Sequence, residues 1–196
     1  MQLPPPKTSG EVPLEATLQQ RRSVREFADV PLTLEELGQL LWAAQGENRA
    51  CCYRTAPSAG ALYPLLVDVV AGRVTSLPEG VHRYQPHGHG LVPGVQGDLR
   101  RELSVAALAQ DFLAEAPAVI CLAAVMECTT SKYGERGRRY VLAEVGHAAQ
   151  NVCLQAVALG LGATMLGAFN DDAVKVVLDL NESALPLGLL PVGRPA

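Results

Sequence analysis

ERGRRYVLAEVGHAAQNVCLQAVAL, residues 135–159, carries the most regular apolar pattern in the chain. Apolar residues recur every three or four positions, at Leu142, Val145, Ala149, Val152, Ala156 and Leu159. This spacing predicts one long helix with a narrow apolar seam, ended by Gly160. A polar stripe lies on the opposite face, at Tyr140, Glu144, His147 and Asn151. Because the flanking positions are also small or apolar, we predict that most of this helix is buried.

Strand-like and helix-like segments alternate on both sides of this helix. We predict strands at 65–70, 81–84, 91–95, 118–125, 163–168 and 185–192, with the second and third forming a hairpin. Helices are predicted from Pro13 to the arginines, from the capping box at 33–36 to Gly46, after Gly97, and from Asn170 to residue 178. A polar segment at 127–132 is predicted to bound the strand before it. This order indicates an α/β or α+β sandwich.

Composition limits the class of protein. The 196 residues fit one domain at 13–196 behind an extended, proline-rich tail at 1–12. The net charge of −4 argues against nucleic acid or anionic lipid as a partner. Five cysteines without CxxC spacing argue against a disulfide framework, and we predict core positions for Cys121, Cys128 and Cys153. The chain shows neither a signal peptide nor a long apolar span, which predicts a cytoplasmic protein without a membrane anchor.

The basic stretch RRSVR, residues 21–25, offers bidentate donors and a hydroxyl that suit a phosphate monoester. It follows a predicted helix C-terminus, whose dipole repels anions, so a phosphate there must be held by side-chain charge. The alternative is a solvated basic helix end. The loop APSAGALYP, residues 56–64, has small residues that let its backbone approach a flat ring, and Ser58 adds a hydroxyl. Taken alone, this loop is only a turn.

Six motifs occur in an order that resembles the nitroreductase-fold flavoproteins. They are RRSVREF (21–27), APSAGALYP (56–64), SKYGERGRRY (131–140), EVGHAAQN (144–151), LGATMLGAFND (161–171) and LLPVGRP (189–195). The chain most resembles the SagB-type dehydrogenase branch, the FMN oxidases of thiazole and oxazole formation. The resemblance extends from residue 13 to residue 195.

The resemblance implies an α+β fold with a mixed or antiparallel sheet flanked by helices in three layers. It further implies a homodimer with the long helix at the interface, where the polar stripe would lie at a subunit contact, and two FMN sites built from both chains. Phosphate and ribityl contacts would come from Arg21, Arg22, Ser23, Arg25 and Arg194. The partner's loop would approach the flavin through Pro57, Ser58, Ala59 and Gly60, and Met165, Leu166 and Gly167 would line the ring. A backbone N–H, plausibly that of Gly167, would face the flavin N5.

Lys132 and Tyr133 resemble the Lys-Tyr pair of the azoline oxidases, in which a base removes a carbon-bound proton. Positive charge on Arg136, Arg138 and Arg139 would lower the pKa of such a lysine. The alternative is a surface lysine before a helix. The common nitroreductase loop has Asn and Gln where Ala61 and Tyr63 stand here, which favours the SagB-type branch over nitro-compound reduction.

The predicted function is therefore FMN-dependent hydride transfer to and from the flavin N5 in alternating half-reactions. One alternative is an NAD(P)H-dependent reductase of quinones, enones or nitroaromatics. Gly160 and Gly162 follow a helix and lack the dinucleotide fingerprint, so NAD(P)H would dock transiently over the flavin. An alternative of another class is a flavin-binding or scaffold protein without efficient turnover. No metal is predicted, since His87 and His89 lie in a turn without a third ligand nearby.

Overall fold

The computed structural model describes residues 1–48 and 53–196. Within them the helices are α1 (Leu14–Gln20), α2 (Leu34–Gln45), α3 (Arg100–Ala106), α4 (Phe112–Glu115), α5 (Glu127–Tyr133), α6 (Arg136–Ala158) and α7 (Asp171–Leu178). The strands are β1 (Leu65–Ala71), β2 (Gly80–Gln85), β3 (Gly90–Gln96), β4 (Ala118–Val125), β5 (Gly162–Ala163) and β6 (Ala184–Gly193). Cys51 and Cys52 lie outside the described residues.

The strands form one antiparallel sheet in the order β3-β2-β1-β4-β6-β5. Alternate side chains of the central strand β4 enter two different cores, as expected for a strand that is covered on both faces. Ile120 and Leu122 pack in a core with residues of α2 and α6. Val119 and Cys121 pack in a second core with residues of α3 and α7. The three-layer α+β fold is therefore confirmed, and its sheet is antiparallel.

The register of β4 defines two ends of the molecule. Its first residue, Ala118, pairs with Val192 near the end of β6, and its last, Val125, pairs with Ala184 at the start of β6. β1 begins at Leu65, which pairs with Ala124. The segments before β1 and after β4 therefore share one end of the sheet, which we call the loop end. Residues after β6 lie at the other end, the arginine end, about 24 Å away along the strand.

The long helix α6 is present, and its buried face is wider than the predicted seam, although Leu142 does not belong to it. Val141, Val145 and Val152 are buried, whereas Leu142, predicted in the seam, is 54% exposed. Glu144, predicted in the polar stripe, is buried at 2% exposure. Because the helix packs against both α2 and the sheet, it buries a wider face than a seam of two positions per heptad would.

The polar segment at 127–132, which bounds β4 as predicted, forms the helix α5, and Lys132 lies in its last turn. Two further predictions were wrong. Cys128 is exposed because it lies on this polar helix. The strand predicted at 163–168 ends after Ala163, and beyond it only Leu166 bridges β6, at Leu189.

The first residues of the chain pack on the end of the β2–β3 hairpin. The amino group of Met1 donates to the Leu91 carbonyl oxygen at 2.6 Å, and Leu3 is buried at 3% exposure. Residues 1–12 contain no helix. Among the helices of the described residues, none combines the length and the apolarity that crossing a membrane requires.

Candidate functional site

At the loop end, residues 57–63 form a tight, left-handed turn. Gly60, Ala61 and Tyr63 have φ of 64°, 53° and 48°. The Ser58 hydroxyl oxygen accepts a hydrogen bond from the Tyr63 backbone N–H at 2.9 Å, which closes the turn. The Ser58 hydroxyl thus already has a partner within its own loop, and its contact with a ribityl or phosphate oxygen remains a prediction.

Lys132 and Tyr133 lie over this turn, in the same chain. A Cβ atom at Gly60 would lie 2.7 Å from Tyr133 Oη and 3.0 Å from Lys132 Nζ. The Tyr133 ring stacks edge-on with Tyr140, at 5.3 Å between centroids, and Arg136 Nε donates to Tyr140 Oη at 3.1 Å. The end of α5 therefore packs against the start of α6. The Lys132 side chain is exposed and lies above Gly60, which has no side chain.

A buried polar network lies beneath the turn. Gln45 Nε2 donates to Glu144 Oε1 at 3.2 Å, and Arg54 Nη1 donates to Gln45 Oε1 at 3.0 Å. The Arg54 guanidinium stacks over the Tyr63 ring at 4.5 Å, and the Arg54 backbone N–H donates to Tyr63 Oη at 3.2 Å. Burial raises the pKa of Glu144, while hydrogen bonds from Ser58 and Gln45 oppose the rise. Burial also lowers the pKa of Arg54.

A cavity of about 440 Å³ opens beside the turn. Its lining consists of Asn48, Tyr53, Arg54, Thr55, Pro57, Ser58, Ala61 and Tyr63. One wall is therefore the predicted flavin loop, and another carries a cation and two phenol rings.

The predicted phosphate residues lie at the arginine end. Arg21 caps the C-terminus of α1, as predicted, and the backbone N–H of the buried Val24 donates to the Ala163 carbonyl oxygen at 3.2 Å. This attachment to β5 leaves Arg22, Ser23 and Arg25 exposed. Three guanidinium groups and a hydroxyl along five residues are the donor set that a phosphate dianion requires.

Arg194 follows β6 at the same end, where Glu36 holds its side chain. Arg194 Nη2 donates to Glu36 Oε1 at 2.6 Å. The other Glu36 oxygen accepts from the Thr33 backbone N–H at 2.9 Å in the capping box that starts α2, as predicted. Arg194 is thus fixed near the 21–25 stretch by a carboxylate that already has a second partner.

The predicted ring-lining residues run along β6 from the arginine end toward the middle of the sheet. Leu166 exchanges both backbone hydrogen bonds with Leu189, at 2.8 and 3.0 Å, and its side chain is buried. Met165 is 41% exposed, and Gly167 is exposed. Of the three, Met165 and the Gly167 backbone are accessible to a ligand, whereas the Leu166 side chain is not.

The structure thus separates the predicted residues into two half-sites. The loop half-site contains Pro57, Ser58, Ala59, Gly60, Lys132 and Tyr133, and the arginine half-site contains Arg21, Arg22, Ser23, Arg25, Arg194, Met165 and Gly167. The arginines and the loop lie at opposite ends of β4, since Ser23 bridges Ala163 at one end and β1 begins beside Ala124 at the other. One chain alone does not bring them together.

A model of the nitroreductase family matches residues 18–194. The chain belongs to the nitroreductase family. It is 48% identical over 184 residues to a nitroreductase-like protein of Methanocaldococcus jannaschii, which covers 94% of this chain and 92% of the relative. A crystal structure of a nitroreductase-like protein from Ralstonia eutropha JMP134 has a TM-score of 0.87 at 34% identity, over 100% of this chain and 89% of the other.

A chain of the E. coli microcin synthetase McbBCD complex, solved with truncated pro-MccB17 bound, has a TM-score of 0.76. At 22% identity, over 98% of this chain and 77% of the other, it shows a shared fold. This nitroreductase-family protein is thus an oxidoreductase of a family that generally binds FMN.

The sequence does not indicate the part of the candidate site that lies under the turn. Gln45 and Arg54 were not singled out, and Glu144 was interpreted only as part of a stripe. A signal for Gln45 was present, because a polar residue in the last position of an apolar helix must find a partner when it is buried. Nothing in the sequence pairs Gln45 with residues 54 and 144.

Proposed function

We propose that this protein is an FMN-dependent oxidoreductase that works as a homodimer, with each flavin site assembled from two chains. Bound FMN would supply a hydride acceptor and donor at its N5 for two alternating half-reactions. Arg21, Arg22, Ser23, Arg25 and Arg194 would hold the phosphate and ribityl groups, with Met165 and Gly167 beside the ring. The loop half-site would come from the partner chain.

The separation of the two half-sites along β4 is the observation that carries this proposal. A two-fold axis places each surface of one chain against the other surface of its partner, so one interface completes two equivalent sites. The outer face of α6 suits such an interface, because Leu142 is 54% exposed there beside the small residues Ala143 and Gly146. In that assembly Lys132 and Tyr133 would lie over the flavin bound by the other chain.

Within the family, we propose the SagB-type reaction, in which an azoline-bearing peptide is the hydride donor and dioxygen the final acceptor. Lys132 Nζ, as the neutral amine, would receive the proton that the substrate carbon loses and become the ammonium, and Tyr133 would hold the lysine head group in place over Gly60. The contact of both side chains with position 60 supports this role. The fold shared with a chain of the microcin synthetase complex is compatible with a peptide substrate.

A second candidate is reduction of quinones, enones or nitroaromatics with NAD(P)H as the donor. The 48% identity to the nitroreductase-like protein of M. jannaschii favours it. Because the chain carries no dinucleotide fingerprint, the nicotinamide would occupy the flavin face transiently and leave before the second substrate binds.

Two experiments test these proposals in turn. The visible spectrum of the purified protein, with and without added FMN, tests flavin binding, and a preparation that cannot be reconstituted overturns the proposed function. Anaerobic mixing of the flavin-loaded protein with NADH, NADPH or an azoline peptide then identifies the donor. Bleaching with the peptide alone supports the SagB-type reaction, whereas prompt bleaching with a nicotinamide supports the reductase. If no donor bleaches the flavin, a flavin-binding protein without turnover is the better description.

A further inference from the structure

Glu144 is a buried carboxyl in the middle of α6 for which the proposed reaction has no use. Its exposure is 2%, and its pKa is raised by that burial. A buried carboxyl destabilises a core unless its bonds compensate for the lost hydration, and an apolar side chain in the same place would avoid this cost. The bonds of Glu144 therefore indicate what it does.

Those bonds lead to the turn at 57–63. The Glu144 carboxyl accepts from the Gln45 amide at 3.2 Å, and the Ser58 hydroxyl is near enough to oppose the rise of the carboxyl's pKa. Ser58 in turn accepts the Tyr63 backbone N–H, so a hydroxyl beside the carboxyl closes the turn.

A second connection reaches the same turn from Gln45. Its amide oxygen accepts from Arg54 and its amide nitrogen donates to Glu144, so both ends of this one side chain are occupied and its orientation is set. Arg54 then bonds and stacks on Tyr63. Both connections run from Glu144 to Tyr63. One passes through Ser58, which precedes Gly60 in the turn, and the other passes through Gln45 and Arg54.

We propose that Glu144 is a positioning residue for the flavin loop, acting through Ser58 and through Gln45 and Arg54 to fix the backbone at 58–63. The left-handed conformations of Gly60, Ala61 and Tyr63 need such support, because non-glycine residues rarely adopt positive φ without it. A correctly placed Gly60 in turn sets the position of Lys132 and Tyr133 above it. The part of this proposal that concerns flavin rests on the proposed function, but the ordering of the loop does not.

The first test uses the protein without flavin. Amide hydrogen exchange at Tyr63 and Arg54 is compared in the wild type, Glu144→Ala and Glu144→Gln. Ser104→Ala is the matched control, since Ser104 is buried at 3% exposure and its hydroxyl donates to the Gln110 carbonyl, far from the loop in sequence. We expect Glu144→Ala to speed exchange at both amides by about tenfold or more, as the loss of one buried hydrogen bond predicts. Glu144→Gln should restore most of the protection, because its amide keeps an acceptor oxygen for Gln45.

The second test measures FMN affinity by the quenching of flavin fluorescence. We expect Glu144→Ala and Ser58→Ala each to raise the Kd about tenfold, and the double variant to raise it by less than the product of the two, since both residues support the same turn. Ser104→Ala should keep the wild-type Kd. If Glu144→Ala does not fold, Ser58→Ala is compared with the double variant Ser58→Ala/Glu144→Gln. The second substitution should then cause no further loss of FMN affinity.

The positioning role is overturned if the Tyr63 amide of folded Glu144→Ala exchanges at the wild-type rate. It is also overturned if the effects of Ser58→Ala and Glu144→Ala on the Kd multiply in the double variant. Failure of the wild type to bind FMN overturns the proposed function instead, and leaves the exchange result to decide the role of Glu144 in ordering the loop.

Discussion

Gly60 lies so close to Tyr133 that a side chain at position 60 would have to displace the Tyr133 phenol. A Cβ atom there would lie 2.7 Å from the Tyr133 phenol oxygen. The two residues belong to segments that flank the paired strands β1 and β4, so the sheet register itself brings them together. The absence of a side chain at position 60 is therefore set both by backbone conformation and by the residues above it.

Gly60→Ala should reveal this contact when it is compared with Gly88→Ala. Both glycines have positive φ, of 64° and 78°, but a Cβ at Gly88 meets nothing within 4 Å. Each substitution should cost about 1 kcal/mol of unfolding free energy from backbone strain, measured in urea. Only Gly60→Ala should also weaken FMN binding, because its contact with Tyr133 would displace the turn at 57–63 that is proposed to approach the flavin. Equal effects on both properties would show that the contact is unimportant.

Replacement of Lys132 should separate chemistry from cofactor binding. We expect Lys132→Gln and Tyr133→Phe to keep bound FMN and the wild-type Tm, since Lys132 is exposed. Turnover with the donor found by anaerobic mixing should fall about a hundredfold in Lys132→Gln, as for the loss of a general base. Arg101→Gln is the control, since Arg101 is exposed on α3 and has no part in either half-site. Unchanged turnover in both lysine and tyrosine variants would exclude a catalytic role.

The double variant Arg21→Ala/Arg25→Ala should release FMN. Charge-assisted hydrogen bonds contribute about 1.5 to 3 kcal/mol each, so the Kd should rise about a hundredfold or more. Lys7→Ala/Arg101→Ala removes the same charge from exposed positions elsewhere and should leave the Kd unchanged. Flavin retained by the first variant would place the phosphate at another site.

Glu144 should make stability depend on pH in a defined direction. Burial raises its pKa above the ordinary value of 4.5, so the folded state holds the proton more tightly than the unfolded state. Its contribution to stability is therefore fully present below that ordinary value and is lost as the pH rises through the folded-state pKa. Relative to Glu144→Gln, the wild type should lose unfolding free energy as the pH rises above that ordinary value, measured in urea titrations. Ser104→Ala, which removes no titratable group, should follow the wild type, and a trend of opposite sign for Glu144 would contradict the assignment.

Local signals predicted most of the framework. The capping box at Thr33, the Asn170 cap and the strand at 118–125 lie where expected, because each depends on neighbouring residues alone. The face of α6 could not be read in the same way. Which side chains it buries depends on contacts with both α2 and the sheet, and that double contact buries Glu144 and exposes Leu142.

The candidate site was predictable by residue type but not by arrangement. The sequence indicated Lys132, Gly60 and the arginines separately, and their grouping came from the register of β4. The sequence does not single out Gln45 and Arg54, because Glu144 lies 99 residues from Gln45 and only the fold brings it to this network.

The placement of the two half-sites at opposite ends of β4 has a genetic consequence. In a dimer that shares its sites, a chain defective at Arg21 and a chain defective at Gly60 damage different halves. A mixed dimer of the two concentrates both lesions in one site and leaves the other intact. Two inactive alleles expressed together should therefore complement each other, and random pairing would leave about one quarter of all sites functional.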